Sequence, residues 1–281
     1  MKYIKEKEWL FEQLSKKNSI TILDCRFSLK DPTEGLKKYS DDHIPGAIYV
    51  DLEKELSAPV GVHGGRHPLP DESTLKEMFE QKGVDSTVPV IVYDDGMSAF
   101  AARCWWMLIY LGHPQVYVLN GGYNAWRKAN LPITKDVPQP IRGSFDVHVQ
   151  PQLLATFEEV KDVVNTKGHP TTLIDSRAKE RYLGEVEPID KKAGHIPKAV
   201  NIDWQTGVKN DRLKPVEEQQ KRFSIWKKND PLIVYCGSGV TATVNVLSLL
   251  EAGYQNVKLY VGSFSDWISY DTNEVETKKN R

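Results

Sequence analysis

Four blocks of this chain occur twice, in the same order. In the first half they are "TILDCRF" at 21–27, "DHIPGAIYVD" at 42–51, "PVIVYDDGMSAFAA" at 89–102 and "VYVLNGGYNAW" at 116–126. In the second half they return as "TLIDSRA" at 172–178, "GHIPKAVNID" at 194–203, "PLIVYCGSGVTATV" at 231–244 and "VKLYVGSFSDW" at 257–267. Two copies of one domain are the simplest source of such a pattern, and a chain of 281 residues has room for both. The stretch 132–152 contains four prolines and no helical period, so the copies divide as 1–135 and 151–281, with a linker at 136–150.

Each copy reads as an α/β domain. Short apolar runs bounded by turn residues, "ITILD", "PVIVY" and "VYVL", have the pattern of strands buried on both faces of a parallel sheet. Helical stretches alternate with them, at Ser98–Leu111 and at Val240–Ala252, the second closed by Gly253. The fold class is therefore α/β: two tandem domains, each a mostly parallel sheet flanked by helices. Thr156 is placed to cap a helix whose first turn is acidic, and "MKYIKEKEWLFEQL" reads as an amphipathic helix rather than a signal peptide.

Composition narrows the function. A formal charge of −1 gives no electrostatic reason to expect nucleic acid or an anionic membrane as a partner. Residues 104–126 lack Asp, Glu, Lys and Arg, yet "GHP" and "NGG" cut them into a short helix and a strand, so no membrane span is expected. Three cysteines, Cys25, Cys104 and Cys236, make neither a disulfide framework nor a CxxC zinc pair. A reducing, cytoplasmic setting and no bound metal are expected.

Aligning the copies isolates Cys236. Tyr93 matches Tyr235, so the next position is Asp94 in one copy and Cys236 in the other. A packing cysteine would be expected to have an apolar counterpart rather than an aspartate. Cys236 lies at the carboxyl end of a strand, where open α/β sheets bind ligands, and immediately before a helix. Backbone N–H groups of Gly237 to Thr241 can curl around its sulfur, and the helix N-terminus favours the thiolate. A ring of donors of this kind suits one anionic atom, a thiolate or the outer sulfur of a persulfide.

"YCGSGVTA", the doubled "HIP" block, "DSRAKERYLG" and "GSFSDW" together resemble the two-domain sulfurtransferases of the rhodanese family, over nearly the whole chain from Trp9 to Trp267. The resemblance implies a degenerate first copy and a Cys236 that carries sulfur as a persulfide, cradled by Gly237, Gly239, Val240 and Thr241. It implies no cofactor, a small-molecule donor, and a small thiol, thioredoxin or cyanide as acceptor. Thiosulfate enzymes of the family place an Arg-Lys pair where this chain has Gly237 and Ser238, so the neutral loop favours 3-mercaptopyruvate. Arg181 matches the arginine that binds substrate carboxylate. Where a second arginine is usual this chain has Asp190, and Lys191 just after it is expected to substitute as a point charge. A proton relay of Ser238, His67 and Asp51 is also implied, with His67 and Asp51 reaching Ser238 from the first domain.

Other candidates have blander readings. His43 and His195 stand in equivalent blocks of both copies and are expected to be architectural. Cys25 and Cys104 are expected to pack in the interior. A cysteine phosphatase needs Cys-x5-Arg, whereas Ala242 and Thr243 occupy the end of this loop. Thiosulfate as donor and a non-catalytic binding module are the two alternatives that remain.

Overall fold

The computed structural model describes residues 1–278. It divides into two compact units: residues 1–58, 70–150 and 208–213 form one, and residues 59–69, 151–207 and 214–278 the other. Each unit has its own parallel sheet. In the first, the strands lie in the order Ile4–Lys5, Val116–Leu119, Val90–Tyr93, Thr21–Asp24, Ala47–Tyr49. In the second, the order is Val257–Leu259, Leu232–Tyr235, Thr172–Asp175, Val200–Asn201. The central strands "VIVY" and "LIVY" are buried at every residue, as strands covered by helices on both faces must be.

The repeat extends to the polar groups that end these strands. Asp24 pairs in register with Tyr93, and Asp175 with Tyr235. Arg26 donates to Asp24 at 2.7 Å and Arg177 to Asp175 at 2.7 Å, with all four side chains at most 2% exposed. A buried carboxylate needs such a partner, and each pair stands at the carboxyl end of the strand beside the central one, Thr21–Asp24 and Thr172–Asp175.

Local signals act as the residues dictate. Thr156 and Glu159 form a reciprocal capping box that opens the helix Phe157–Asn165. The helices expected after the two central strands run over Ala99–Tyr110 and Ala242–Glu251, and Gly253 beyond the second has φ +89°. The N-terminus differs from expectation. Ile4–Lys5 is a strand paired with Val118–Leu119, and the helix starts only at Lys7. An edge strand this short has no periodicity of its own to announce it.

Two segments leave the half of the sequence they come from. The antiparallel hairpin of Val208–Lys209 and Arg212–Leu213 packs with the first unit, where Leu213 donates its N–H to the Asn120 side chain at 3.0 Å. The arm 59–69 packs with the second unit. Gly64 N–H donates to Asp266 at 2.7 Å, Arg66 N–H to Ser265 Oγ at 3.1 Å, and His63 stacks on Tyr270 at 3.9 Å between ring centres. Gly65, at φ +81°, lies so near Gly262 that an added Cβ would stand 2.4 Å from its carbonyl oxygen. Only glycine allows that approach.

Candidate active site

Cys236 follows the strand Leu232–Tyr235 directly and is 2% exposed. The loop around it is fixed by its own backbone. Cys236 N–H donates to Ser263 Oγ at 3.1 Å, Phe264 N–H to the Cys236 carbonyl at 3.0 Å, and Ser265 N–H to the Gly237 carbonyl at 2.9 Å. Gly239 adopts φ +74°, and a Cβ there would meet the Val261 carbonyl oxygen at 2.2 Å.

These constraints aim donors at the sulfur. Burial alone pushes the Cys236 thiol up, but the Thr241 hydroxyl and the N–H groups of Ser238, Ala242 and Gly239 outweigh it, so the pKa falls below the ordinary value. Thr241 stands at the N-cap of the helix Ala242–Glu251 yet makes no side-chain cap bond, which leaves its hydroxyl to the sulfur. Val240 is buried against the loop at 2% exposure and carries no polar group of its own.

Ser238 and His67 meet. His67 Nδ1 lies 2.8 Å from Ser238 Oγ, although 171 residues separate them in sequence, and both are buried. The arm 59–69 brings His67 there as part of the second unit, not as part of the first domain as expected. Asp51 belongs to the first unit. Its carboxylate caps a turn, accepting N–H bonds from Glu53 at 2.9 Å and Lys54 at 3.0 Å.

Arg181 is engaged by carboxylates. It donates to Glu187 at 2.7 Å and to Asp190 at 2.9 Å. Asp190 is also paired with Arg66, a residue outside the motifs that mark the site in the sequence. A Cβ on Gly237 would stand 2.8 Å from Arg66 Nη2 and 3.7 Å from Arg181 Nη2, so two guanidinium groups border the loop. The neutrality expected from Gly237 and Ser238 therefore holds for the loop residues and not for the loop's mouth. Lys191 is exposed on the wall of a cleft of about 530 Å³, which Arg66 and Asp190 also line. The second cation beside Gly237 is Arg66 rather than Lys191. The paired glycines of "HGGRHP" mark a close approach of the backbone just before Arg66, but do not say which loop it approaches.

The sequence profile of the rhodanese-like domain matches this chain twice, over residues 6–129 and 156–270. The chain belongs to the rhodanese family. Rhodanese relatives cover nearly all of it. "Probable 3-mercaptopyruvate sulfurtransferase" of Pseudomonas aeruginosa is 42% identical over 92% of each chain. 3-Mercaptopyruvate sulfurtransferase of Escherichia coli is 33% identical over 92% of each chain, and thiosulfate sulfurtransferase of Rattus norvegicus is 32% identical over 92% of this chain and 90% of its own. The crystal structure of the Escherichia coli 3-mercaptopyruvate enzyme SseA superposes with a TM-score of 0.83 at 31% identity, over 94% of this chain and all of that one.

The N-terminal rhodanese-like domain fills its own cradle. Asp94, 3% exposed, accepts N–H bonds from Gly96 at 2.9 Å, Ser98 at 3.0 Å, Phe100 at 3.0 Å and Ala101 at 3.2 Å. His43 and His195 repeat each other: each is fully buried, and each bonds through Nδ1 to the carbonyl of a tyrosine on which it stacks, Tyr39 and Tyr182. Cys25 and Cys104 are buried as packing residues. Among the described residues, no helix is long and apolar enough to cross a membrane, and no group of three His, Cys, Asp or Glu side chains is placed to hold a metal ion.

Proposed function

We propose that this rhodanese is a sulfurtransferase that takes sulfane sulfur from 3-mercaptopyruvate onto Cys236 and passes it to a thiol, thioredoxin or cyanide, with 151–281 as the catalytic copy. The observation that carries this is the Cys236 cradle, a single sulfur faced by the Thr241 hydroxyl and three backbone N–H groups. The donors favour a charged sulfur in a buried place, which is what a nucleophilic thiolate and a persulfide both require.

The steps balance without any cofactor. The Cys236 thiolate attacks the thiol sulfur of 3-mercaptopyruvate, and the new S–S bond forms as the C–S bond breaks. The electron pair leaves on the pyruvate enolate, and the donor's thiol proton ends on the enolate carbon. Ser238 and His67 relay that proton, a role supported by their hydrogen-bond contact. An acceptor thiolate then attacks the outer sulfur and restores the Cys236 thiolate. Arg181 draws the donor's carboxylate. A cytoplasmic location suits this chemistry, since reduced thiols are abundant acceptors there.

Intact mass tests the reading. After incubation with 3-mercaptopyruvate the protein gains one sulfur atom, lost on adding dithiothreitol. An unchanged mass, or a gain that survives Cys236→Ala, overturns it. Thiosulfate as donor is the second reading, and the pair Arg66 and Arg181 beside Gly237 supports it, because two cations suit a dianion. The ratio of kcat/KM for the two donors, taken on one preparation, separates them.

A further inference from the structure

Asp190 carries a carboxylate into the place where an incoming anion is drawn. Its side chain is 2% exposed and lies between Arg181 Nη2 and Arg66 Nη1. Both arginines also border Gly237, the residue next to the nucleophile. The turn that delivers Asp190 hangs on Glu187, which accepts the N–H groups of Ile189 at 3.1 Å and Asp190 at 3.0 Å while it pairs with Arg181. Rotation of the Asp190 side chain alone releases Arg66 and the Asp190 contact of Arg181, while Glu187 keeps its hold on Arg181 and on the turn.

We propose that Asp190 is a resident competitor for the donor's carboxylate, which holds Arg66 and Arg181 against the Cys236 loop until an anionic donor replaces it, and that Arg66 is the second arm of that clamp. The inference rests on the anionic-donor reading above. Arg66, Arg177 and Arg181 face Asp175, Glu187 and Asp190, so the network is neutral as it stands. A monoanion that takes the place of Asp190 keeps that balance, whereas a dianion adds a charge beside the Cys236 thiolate. Burial lowers the Arg66 pKa, the nearby Cys236 charge raises it and Arg181 lowers it, so Arg66 stands within the field of the reacting sulfur. Selectivity against thiosulfate then comes from a carboxylate outside the loop.

Alkylation of Cys236 reads the clamp without any sulfur donor. Iodoacetate carries a carboxylate next to its reactive carbon, and iodoacetamide is its neutral counterpart. Asp190→Asn raises the iodoacetate-to-iodoacetamide rate ratio about tenfold, and Arg66→Gln lowers it about tenfold, the size expected of one partly screened charge. Asp190→Asn also lowers KM for 3-mercaptopyruvate, and raises kcat/KM for thiosulfate by a larger factor. Arg66→Lys restores part of the ratio. Asp190→Ser is the second variant, and Arg66→Gln tests the clamp independently of both. An unchanged ratio in the Asp190 variants and in Arg66→Gln overturns the proposal. If wild-type protein gains no sulfur from 3-mercaptopyruvate while the ratio still responds, the donor reading fails and the anion clamp stands. If Cys236 loads with sulfur and the ratio does not respond, the clamp alone fails.

Discussion

Asp94 and Cys236 occupy the same position after the same strand in the two copies, and each faces a ring of hydrogen-bond donors. Around Asp94 the donors are the N–H groups of Gly96, Ser98, Phe100 and Ala101. Around Cys236 they are the Thr241 hydroxyl and the N–H groups of Ser238, Ala242 and Gly239. The duplicated fold supplies the same electrostatic device twice. In one copy a carboxylate fills it, and in the other the Cys236 sulfur does.

Asp94→Asn is therefore not a conservative change. One carboxylate oxygen accepts from Gly96 and Ser98, and the other from Phe100 and Ala101. An amide must turn its NH2 toward one of these pairs and leave two buried donors unmatched. The expected loss is about 1–3 kcal/mol of stability, read as a lower urea midpoint. Persulfide loading at Cys236 stays at the wild-type level, and impaired loading would show that Asp94 does more than fill its own loop.

The repeat made the fold legible. Blocks such as "PVIVY" and "PLIVY" gave two parallel sheets, and Thr156 with Glu159 gave a helix start, because these signals lie within a few residues of what they determine. The Asp94–Cys236 asymmetry singled out Cys236 in the same way, as the nucleophile proposed above. Arg66 was not legible as a site residue, because its contact with Asp190 depends on the arm 59–69 packing with the second unit. Ile4–Lys5 was lost in the helix that follows it, since two residues of strand are defined only by their partners Val118 and Leu119.

The pH profile of Cys236 follows from its donors. Its folded-state pKa lies below the ordinary thiol value, so alkylation by iodoacetamide has its midpoint below that of a free thiol. Thr241→Val removes the hydroxyl donor and moves the midpoint upward. The same shift enters stability. With the folded pKa depressed, the unfolded chain binds more protons between the two values, so the contribution is complete above the unfolded pKa and is lost as pH falls through the folded one. Urea midpoints across that window should rise with pH in the wild type and rise less in Thr241→Val. Coincident profiles would remove Thr241 from the cradle.

Ser238 and His67 form one unit at 2.8 Å, and their variants should reflect that. His67→Gln lowers kcat with 3-mercaptopyruvate by about 100-fold, the usual scale for loss of a proton-transfer group. Ser238→Ala acts in the same direction, and the double variant is little worse than His67→Gln, because residues acting in series are not additive. Single-turnover kinetics followed by mass spectrometry place the defect in persulfide formation. Fully multiplicative losses would mean that the two residues act separately.

Gly239 is where backbone shape and chemistry cannot be separated. It holds φ +74°, and a methyl group there would collide with the Val261 carbonyl oxygen at 2.2 Å. Gly239→Ala has to move the loop, because the obstacle is backbone and the left-handed conformation is strained for alanine. The expected cost is about 1–3 kcal/mol in stability, seen as a lower melting temperature. The Gly239 N–H is also one of the donors to Cys236, so the thiol pKa should rise in the same variant. Iodoacetamide titration separates the two effects. A variant that melts lower but keeps the wild-type alkylation midpoint would show that the donor ring survives displacement of the loop, and a midpoint that moves up ties the backbone conformation at Gly239 directly to the reactivity of Cys236.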